Sequence, residues 1–491
     1  MSGKLKRIRF VEPKAAGFHV YSFIKLPRLG LPIMGAIIKR MGFDVRVYCQ
    51  DLEEIDYGDL YQSDLVGISL TTSTAPGGYQ LADRLAQRGI PVVIGGPHPT
   101  FLPDEALQHA PYCVRGEGEE TIVELLARLS DGAEPHDVAG LSYLCDGEAR
   151  HNPPRRLVPD LDSLPFPDLS LIQGYHRVRI TPILTSRGCP FDCTFCSVTE
   201  MFGCKYRLRS TDSVIEELKQ YTPKQIFFYD DNFAANRTRA KELCEKLIRS
   251  GLSAGWSAQA RVDVAKDEEL LKLMQRSNCF MLYLGLESVN PATLAAFNKR
   301  QQVEDIEECI RKLHKYNIMV HGMFITGADD DEPQTIRDTV KFSLKNKIDT
   351  VQFSMLTPIP GTRLYKQLDK EGRIFTKDWT LYDAHHAVFE PSKMTPYVLQ
   401  KETFKAMQRF YTLWQCLKLV FRFRFLAAFL RYYGNRQIKR WENTNKEFVT
   451  WIRERARGLA TSKSPAAEQA ESKDNYGRPG KQNRESRTQV L

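Results

Sequence analysis

Three thiols stand close together in Thr185-Ser-Arg-Gly-Cys189-Pro-Phe-Asp-Cys193-Thr-Phe-Cys196, spaced three residues and then two apart. Cysteines so placed can turn inward on one short loop and hold a single iron-sulfur cube. Three ligands for four irons leave one iron without a protein ligand, and a substrate-like cofactor can bind metal there. A structural zinc or electron-transfer cluster is instead closed by four ligands. A zinc knuckle would need a second Cys pair further on, and none follows. Cys204 is the nearest thiol able to close a four-thiolate site, and three merely buried cysteines are the remaining alternative.

Further polar residues recur where apolar runs end. Tyr229-Asp230-Asp231-Asn232, Gln259-Ala-Arg261 and Gly285-Leu-Glu287-Ser288 each follow a strand-like stretch, and Arg261 can pair a carboxylate bidentately. Each alone reads equally as a helix cap or a solvated loop. Near the N-terminus two other segments follow short apolar runs: Gly67-Ile-Ser69-Leu-Thr-Thr-Ser-Thr74, rich in small hydroxyls, and Ile94-Gly95-Gly96-Pro97-His98-Pro99-Thr100. Glycines there let backbone approach a bulky flat ligand, or simply make a turn.

The elements that must position these residues alternate. Apolar runs at 7–12, 43–48, 65–71 and 92–95, with helical patterns at 31–41 and 79–88 and a last strand and helix from Cys113 to Leu129, predict a doubly wound parallel sheet. Such sheets bind ligands beyond the carboxyl ends of their strands. A hairpin turning at Asp146-Gly147 precedes the Pro-rich stretch 153–178, which disfavours helix and marks a joint. Strands are then expected at 179–185, 225–229, 255–260, 280–286, 319–325 and 350–356, with helices between them. Six βα units follow one another, and functional residues are then expected at the C-terminal strand ends.

With the elements in place, Cys189-x3-Cys193-x2-Cys196 after a strand, with Phe195 between the last two thiols, resembles the signature of the radical S-adenosylmethionine (SAM) enzymes. That resemblance implies a 4Fe-4S cluster on Cys189, Cys193 and Cys196, SAM chelated to the open iron, and cleavage of SAM to a 5'-deoxyadenosyl radical. It implies SAM contacts at Asp230, Asp231, Gln259, Arg261 and Glu287, while Gly322 to Gly327 is similar to the loop lying against adenine. The Gly-Gly-x-His-Pro-Thr and Arg-Gly-Glu-Gly-Glu phrases resemble the cobalamin-binding domain found ahead of many such barrels. Ser69, Gly95, Gly96 and His98 are then expected beside the corrinoid. The Asp-x-His-x-x-Gly motif of the wider cobalamin family is absent, its place taken by Asp51-Leu-Glu-Glu-Ile-Asp, so no protein histidine is expected beneath the cobalt.

The fold class expected is therefore α/β, with a Rossmann-like cobalamin-binding domain (1–152), a Pro-rich linker (153–178), a partial (β/α)6 TIM-like radical SAM barrel (179–390), a C-terminal helical domain (391–460) and a disordered tail (461–491). The resemblance implies methylation of an unactivated carbon of a small molecule, with a radical oxidative cyclase or rearrangement enzyme, or a non-catalytic corrinoid and iron-sulfur sensor, as alternatives. Reduced ferredoxin or flavodoxin is the implied electron donor. Pro358-Ile-Pro360-Gly361-Thr362 reads as a rigid turn, and Tyr382, His385 and His386 are candidates to face substrate.

Composition bounds the rest. In 491 residues, 42% hydrophobic and 26% charged, the chain has the make-up of an ordinary globular protein of several domains. A net charge of +9 is too mild to argue for nucleic acid. Eleven cysteines without a secretory leader indicate a reducing compartment, and cytoplasm is expected. No apolar run is long enough to span a membrane. The basic, aromatic stretch Trp414 to Tyr433 fits either a helix packed on the barrel or one resting on a membrane surface.

Overall fold

The computed structural model describes residues 5–18, 25–421 and 423–458. The tail expected from Thr461 onward lies outside the described residues. Two parallel sheets organise the chain. The first runs in the order β2-β1-β3-β4-β5-β6-β7, with β1 Arg7–Glu12, β2 Asp44–Cys49, β3 Leu65–Ser69, β4 Val92–Gly95 and β5 Tyr112–Val114 parallel. β6 Leu141–Cys145 and β7 Glu148–His151 form the expected hairpin at its edge. Alternate side chains of one strand feed opposite cores. Ile8, Phe10, Val47 and Val93 join one cluster, while Val11, Tyr48, Val92 and Ile94 join another. Short Val/Ile runs buried on both faces are what a sheet covered on both sides by helices requires. The 2-1-3-4-5 order changes direction between β1 and β3, which makes the loops after those strands the natural ligand crevice.

The segment expected as a linker is not loose. It folds into three short 3-10 turns that bury Leu161, Leu169, Leu171 and Ile172, and Ile172 bridges to Val47 of β2. Its prolines exclude helix, as expected, but its leucines find apolar surface on the first sheet, so it packs as a strap.

The second sheet starts with β8 Thr181–Ile183. A two-stranded ribbon of β9 Ser186–Arg187 and β10 Arg207–Leu208 follows, bracketing the cysteine loop. The sheet continues through β11 Gln225–Phe228, β12 Gly255–Ala260, β13 Cys279–Glu287, β14 Met319–Thr326 and β15 Thr350–Met355, all parallel in the order β15-β14-β13-β12-β11-β8. One face, including Phe228, Trp256, Leu284, Phe324 and Phe353, is buried against the surrounding helices. The other face stays half-exposed at Phe227, Gln259, Tyr283, Met323, Gln352 and Ser354. The barrel interior is therefore filled at Met281 and His321 but left partly open at the half-exposed positions. Helices Pro396–Phe410, Leu413–Val420, Phe425–Thr444 and Lys446–Arg455 follow, and no helix among the described residues is long and apolar enough to cross a membrane.

Candidate functional site: the cysteine loop and the facing strand ends

The cysteine loop is held at its base by the β9–β10 ribbon, in which Arg187 pairs opposite Arg207. Two like charges on adjacent strands repel. Here both are neutralised from the first sheet: Glu117 accepts from Arg187 Nη1 at 3.0 Å and from Arg207 Nη2 at 2.7 Å, and Glu119 accepts from Arg187 Nη2 at 2.6 Å. All four side chains are about nine-tenths buried or more. The Arg-Gly-Glu-Gly-Glu phrase thus clamps the cysteine loop to the first sheet. Gly188, just before the first thiol, has φ +85°, and a Cβ there would lie 2.3 Å from the Lys205 carbonyl, so the loop closes only with glycine.

Asp230, at the end of β11, serves the same loop. Its Oδ1 accepts from the backbone N–H groups of Thr185 at 2.7 Å and Ser186 at 2.9 Å, and its Oδ2 accepts from Thr185 Oγ1 at 2.5 Å. Arg239 donates to Thr185 from the other side. Asp230, read from the sequence as a SAM contact, is a fully buried pin whose oxygens are occupied. Its neighbour Asp231 faces the mouth and solvent reaches it. Partial desolvation beside the loop, then repulsion from Asp230, raises its carboxyl to about 7.

The far side of the loop is held by the barrel mouth. Asn298 Nδ2 and Arg363 Nη2 donate to the Asp192 carbonyl at 2.9 and 3.0 Å, Phe195 meets Phe297 edge-on at 4.9 Å, and the Arg261 guanidinium lies 3.8 Å over the Phe191 ring. Arg261 also donates to the Lys299 carbonyl. Glu287 is buried and pairs with Lys299 Nζ at 2.5 Å. Gln259 is half-buried, its carbonyl accepting from Phe233 N–H. Gln301 carried no signal in the sequence, yet its Nε2 donates to the Leu286 carbonyl at 2.9 Å while its buried Oε1 has no hydrogen-bond partner. A buried acceptor left open at a strand-end mouth suits a ligand that brings hydroxyl or ammonium donors.

Three thiols and no fourth ligand among the described residues suit a cube with one open iron. No three His, Cys, Asp or Glu side chains among the described residues converge as one metal ion requires, and Cys204 is exposed. Cys189, Cys193 and Cys196 stand on one clamped loop, and each can offer its thiolate to a separate iron of a cluster. Burial raises the Cys189 thiol and pushes Cys196 to about 12, so these sulfurs ionise against a compensating positive charge, which iron supplies.

At the first sheet, Gly96 has φ +103°, and a Cβ would lie 2.6 Å from the Leu70 carbonyl and 3.1 Å from Ser69 Oγ. The loops after β3 and β4 are therefore pressed together, with Ser69, Gly95 and Gly96 half-buried along the seam. Thr71 and Thr74 hydrogen-bond each other reciprocally and shape the first loop from within. His98 is fully buried and its ring nitrogens are taken, Nδ1 by Thr72 Oγ1 at 3.3 Å and Nε2 by Glu105 at 3.1 Å. It ties the two loops together and offers no nitrogen to a ligand.

The carboxyl ends of the two sheets face each other. Besides the Glu117 and Glu119 clamp, Trp379 Nε1 donates to Glu105 at 3.0 Å, and Tyr229, one residue past β11, donates to the Leu26 carbonyl at 3.4 Å. The Pro358–Thr362 turn, to which the sequence assigns no contact, packs on the first sheet's β4 loop: a Cβ on Gly361 would lie 2.2 Å from the Phe101 ring. Tyr382, His385 and His386 are engaged in local hydrogen bonds. Tyr382 donates to the Thr376 carbonyl at 2.8 Å, His385 Nδ1 lies 3.0 Å from the Asp383 carbonyl, and His386 spans Asp383 at 2.9 Å and Asn445 at 3.0 Å. The two histidines brace the C-terminal helices, which is why both are buried.

Comparison with known proteins agrees with this architecture. The family model of the radical SAM superfamily matches residues 183–343, and that of the B12 binding domain matches residues 24–126. An uncharacterised methyltransferase of Pyrococcus horikoshii is 33% identical over 404 residues, spanning 78% of this chain and 88% of that protein. The bacteriochlorophyllide d C-12(1)-methyltransferase of Chlorobaculum tepidum is 31% identical, spanning 74% of this chain and 78% of the relative. The structure of TsrM from Kitasatospora setae, a radical SAM methyltransferase with cobalamin and a 4Fe-4S cluster bound, superposes with a TM-score of 0.64 at 18% identity, covering 75% of each chain. The chain belongs to the radical SAM enzymes that carry a cobalamin-binding domain. Its cofactors are a 4Fe-4S cluster, SAM and cobalamin.

Proposed function

We propose that the protein is a C-methyltransferase that alkylates an unactivated carbon of a small-molecule substrate held in the barrel interior. The observation that carries this reading is the opposition of the two sheets' carboxyl ends, which puts the cobalamin-type loops and the cysteine loop on one shared space. When bound, the cluster and SAM supply hydrogen abstraction by a 5'-deoxyadenosyl radical, and cobalamin supplies a transferable methyl group.

The chain's own residues bind, orient and exclude water. Cys189, Cys193 and Cys196 hold the cluster, and the Glu117, Glu119, Arg187 and Arg207 network fixes the base of their loop. Asp231 and Gln301 present acceptors to the ammonium and hydroxyl groups of SAM, with Arg261, Glu287 and Gln259 shaping the same mouth. Ser69, Gly95 and Gly96 form the seam against the corrinoid, and His98 holds that seam in shape. Residues 1–152, 179–390 and 391–460 act as the cobalamin, radical and helical domains. The aromatic wall of Phe227, Tyr229 and Tyr283, with rings 5.4 and 5.5 Å from Phe227, suits a substrate with a large apolar face. A ferredoxin or flavodoxin is the expected electron donor, and the cytoplasm the expected location.

The test is anaerobic reconstitution with iron, sulfide and hydroxocobalamin, followed by reduction with dithionite and assay of SAM products. Formation of both 5'-deoxyadenosine and S-adenosylhomocysteine supports methyl transfer. Deoxyadenosine without S-adenosylhomocysteine points to the cyclase type of reaction, and neither product would leave a sensor.

A further inference from the structure

We propose that the hairpin of helices Leu413–Val420 and Phe425–Thr444 is a docking site for anionic phospholipid, its tip entering the membrane interface and a basic cavity at its base taking a headgroup phosphate. Of the twelve large hydrophobic side chains that stand exposed among the described residues, ten fall between Leu413 and Tyr432. The most open are Phe421 at 78% and Phe423 at 82%, in the turn between the helices, with Trp414 at 62% and Phe425 at 60% beside them. A patch this concentrated marks an interaction surface.

Charge chooses the partner. From Thr412 to Trp441 the sequence has no Asp or Glu, but it has Lys418, Arg422, Arg424, Arg431, Arg436, Lys439 and Arg440. Directly below the tip lies a cavity of about 230 Å³ lined by Lys347, Lys418, Arg424 and Arg431 together with Leu344 and Leu419. Asp349 offsets one of these cations, pairing with Arg424 at 2.6 Å, and Arg431 donates to the Asp349 and Ile348 carbonyls. Lys347 and Lys418 are exposed, and Lys418 lies 5.4 Å over the Trp414 ring. Aromatic and aliphatic side chains beside cations, with no acid between Thr412 and Trp441, are the make-up of a segment that rests in the interface of an anionic leaflet. An acidic protein partner or a second copy of this chain would not call for an apolar tip next to a phosphate-sized basic cavity.

The test is co-sedimentation of the full-length, reconstituted protein with vesicles of phosphatidylcholine alone or with roughly one-third phosphatidylglycerol, at low and high salt. Each cation near an anionic surface strengthens partition about fivefold, so the double variant Lys347→Glu/Lys418→Glu should lose more than about tenfold, selectively on anionic vesicles. Phe421→Ser/Phe423→Ser should release the protein from both kinds of vesicle. These exposed positions lie far from the cysteine loop, and unchanged deoxyadenosine formation shows that the variants are folded. Equal partition to both vesicles, or insensitivity to the lysine pair, would overturn the headgroup site. Displacement by millimolar inorganic phosphate would make it a site for free phosphate. A lipid-free dimer that the Phe pair breaks would show that the occupant is a second copy.

Discussion

The mouths of the two sheets are built on one plan, parallel strands ending in ligand-facing loops, but from different materials. At the first sheet the mouth is shaped by backbone: Gly96 pressed on Leu70, the Thr71 and Thr74 pair, and His98 with both nitrogens taken. At the barrel it is shaped by charged and polar side chains, some spent on architecture, as with Asp230, and some open, as with Asp231 and Gln301. A broad cofactor that carries its own metal needs a fitted seam and little charge. A cationic cofactor split at an iron needs acceptors and a rigid thiolate loop.

The largest effect that tests this contrast comes from the thiols. Replacing any one of Cys189, Cys193 or Cys196 by alanine should reduce deoxyadenosine formation to background while leaving corrinoid uptake in place, read from the visible spectrum after gel filtration. Retained SAM cleavage in such a variant would refute the assignment of the loop.

Next is the clamp that joins the two mouths. Glu117→Ala strips Arg207 of its carboxylate and Arg187 of one of its two inside a buried site, a change that destabilises by about 3–5 kcal/mol. Thermal unfolding should fall accordingly and cluster loading should drop with it. Normal stability with impaired turnover would mean that the network tunes geometry only.

Much of this was legible in the sequence, for definite reasons. Strands with period-two or fully apolar runs and helices between them announce two parallel α/β units, and all six barrel strands form where expected, though β8 is limited to Thr181–Ile183. The cysteine spacing is local, so it too could be read. The clamp could not: Glu117 and Arg207 are ninety positions apart, and a sequence shows that a charge needs a partner without showing which one. Asp230 and Asp231 are adjacent and chemically identical, and only the turn of the chain after β11 makes one a pin and the other a mouth residue. The 153–178 strap was read by its prolines, which exclude helix, while its leucines determined where it packs.

A smaller effect probes the barrel interior. His321, on the inward face of β14, contacts Thr350 Oγ1 at 2.8 Å and the Tyr283 ring at 4.8 Å, and burial lowers its imidazole from 6.5 to about 4. A histidine held neutral in the fold contributes stability that is present above pH 6.5 and lost as pH falls toward 4. The gap of about 2.5 units corresponds to about 3 kcal/mol. His321→Gln should remove that acid-linked loss, flattening the urea-unfolding midpoint between pH 6.5 and 4. An unchanged slope would mean that the interior admits enough water to charge the ring.

The finest test sets one mouth against the other. Gly96→Ala forces a side chain into a φ of +103° against the Leu70 carbonyl, a strain of order 1–3 kcal/mol that is relieved only by parting the two loops. Corrinoid affinity should fall while SAM affinity, measured by equilibrium dialysis, holds. Asp231→Asn should do the reverse, weakening SAM by about tenfold through loss of one charge-assisted contact and sparing the corrinoid. If both variants weakened both ligands equally, the clamp at Glu117 would be transmitting strain between the mouths, and the division between a backbone-shaped seam and a charge-shaped mouth would give way to one coupled site.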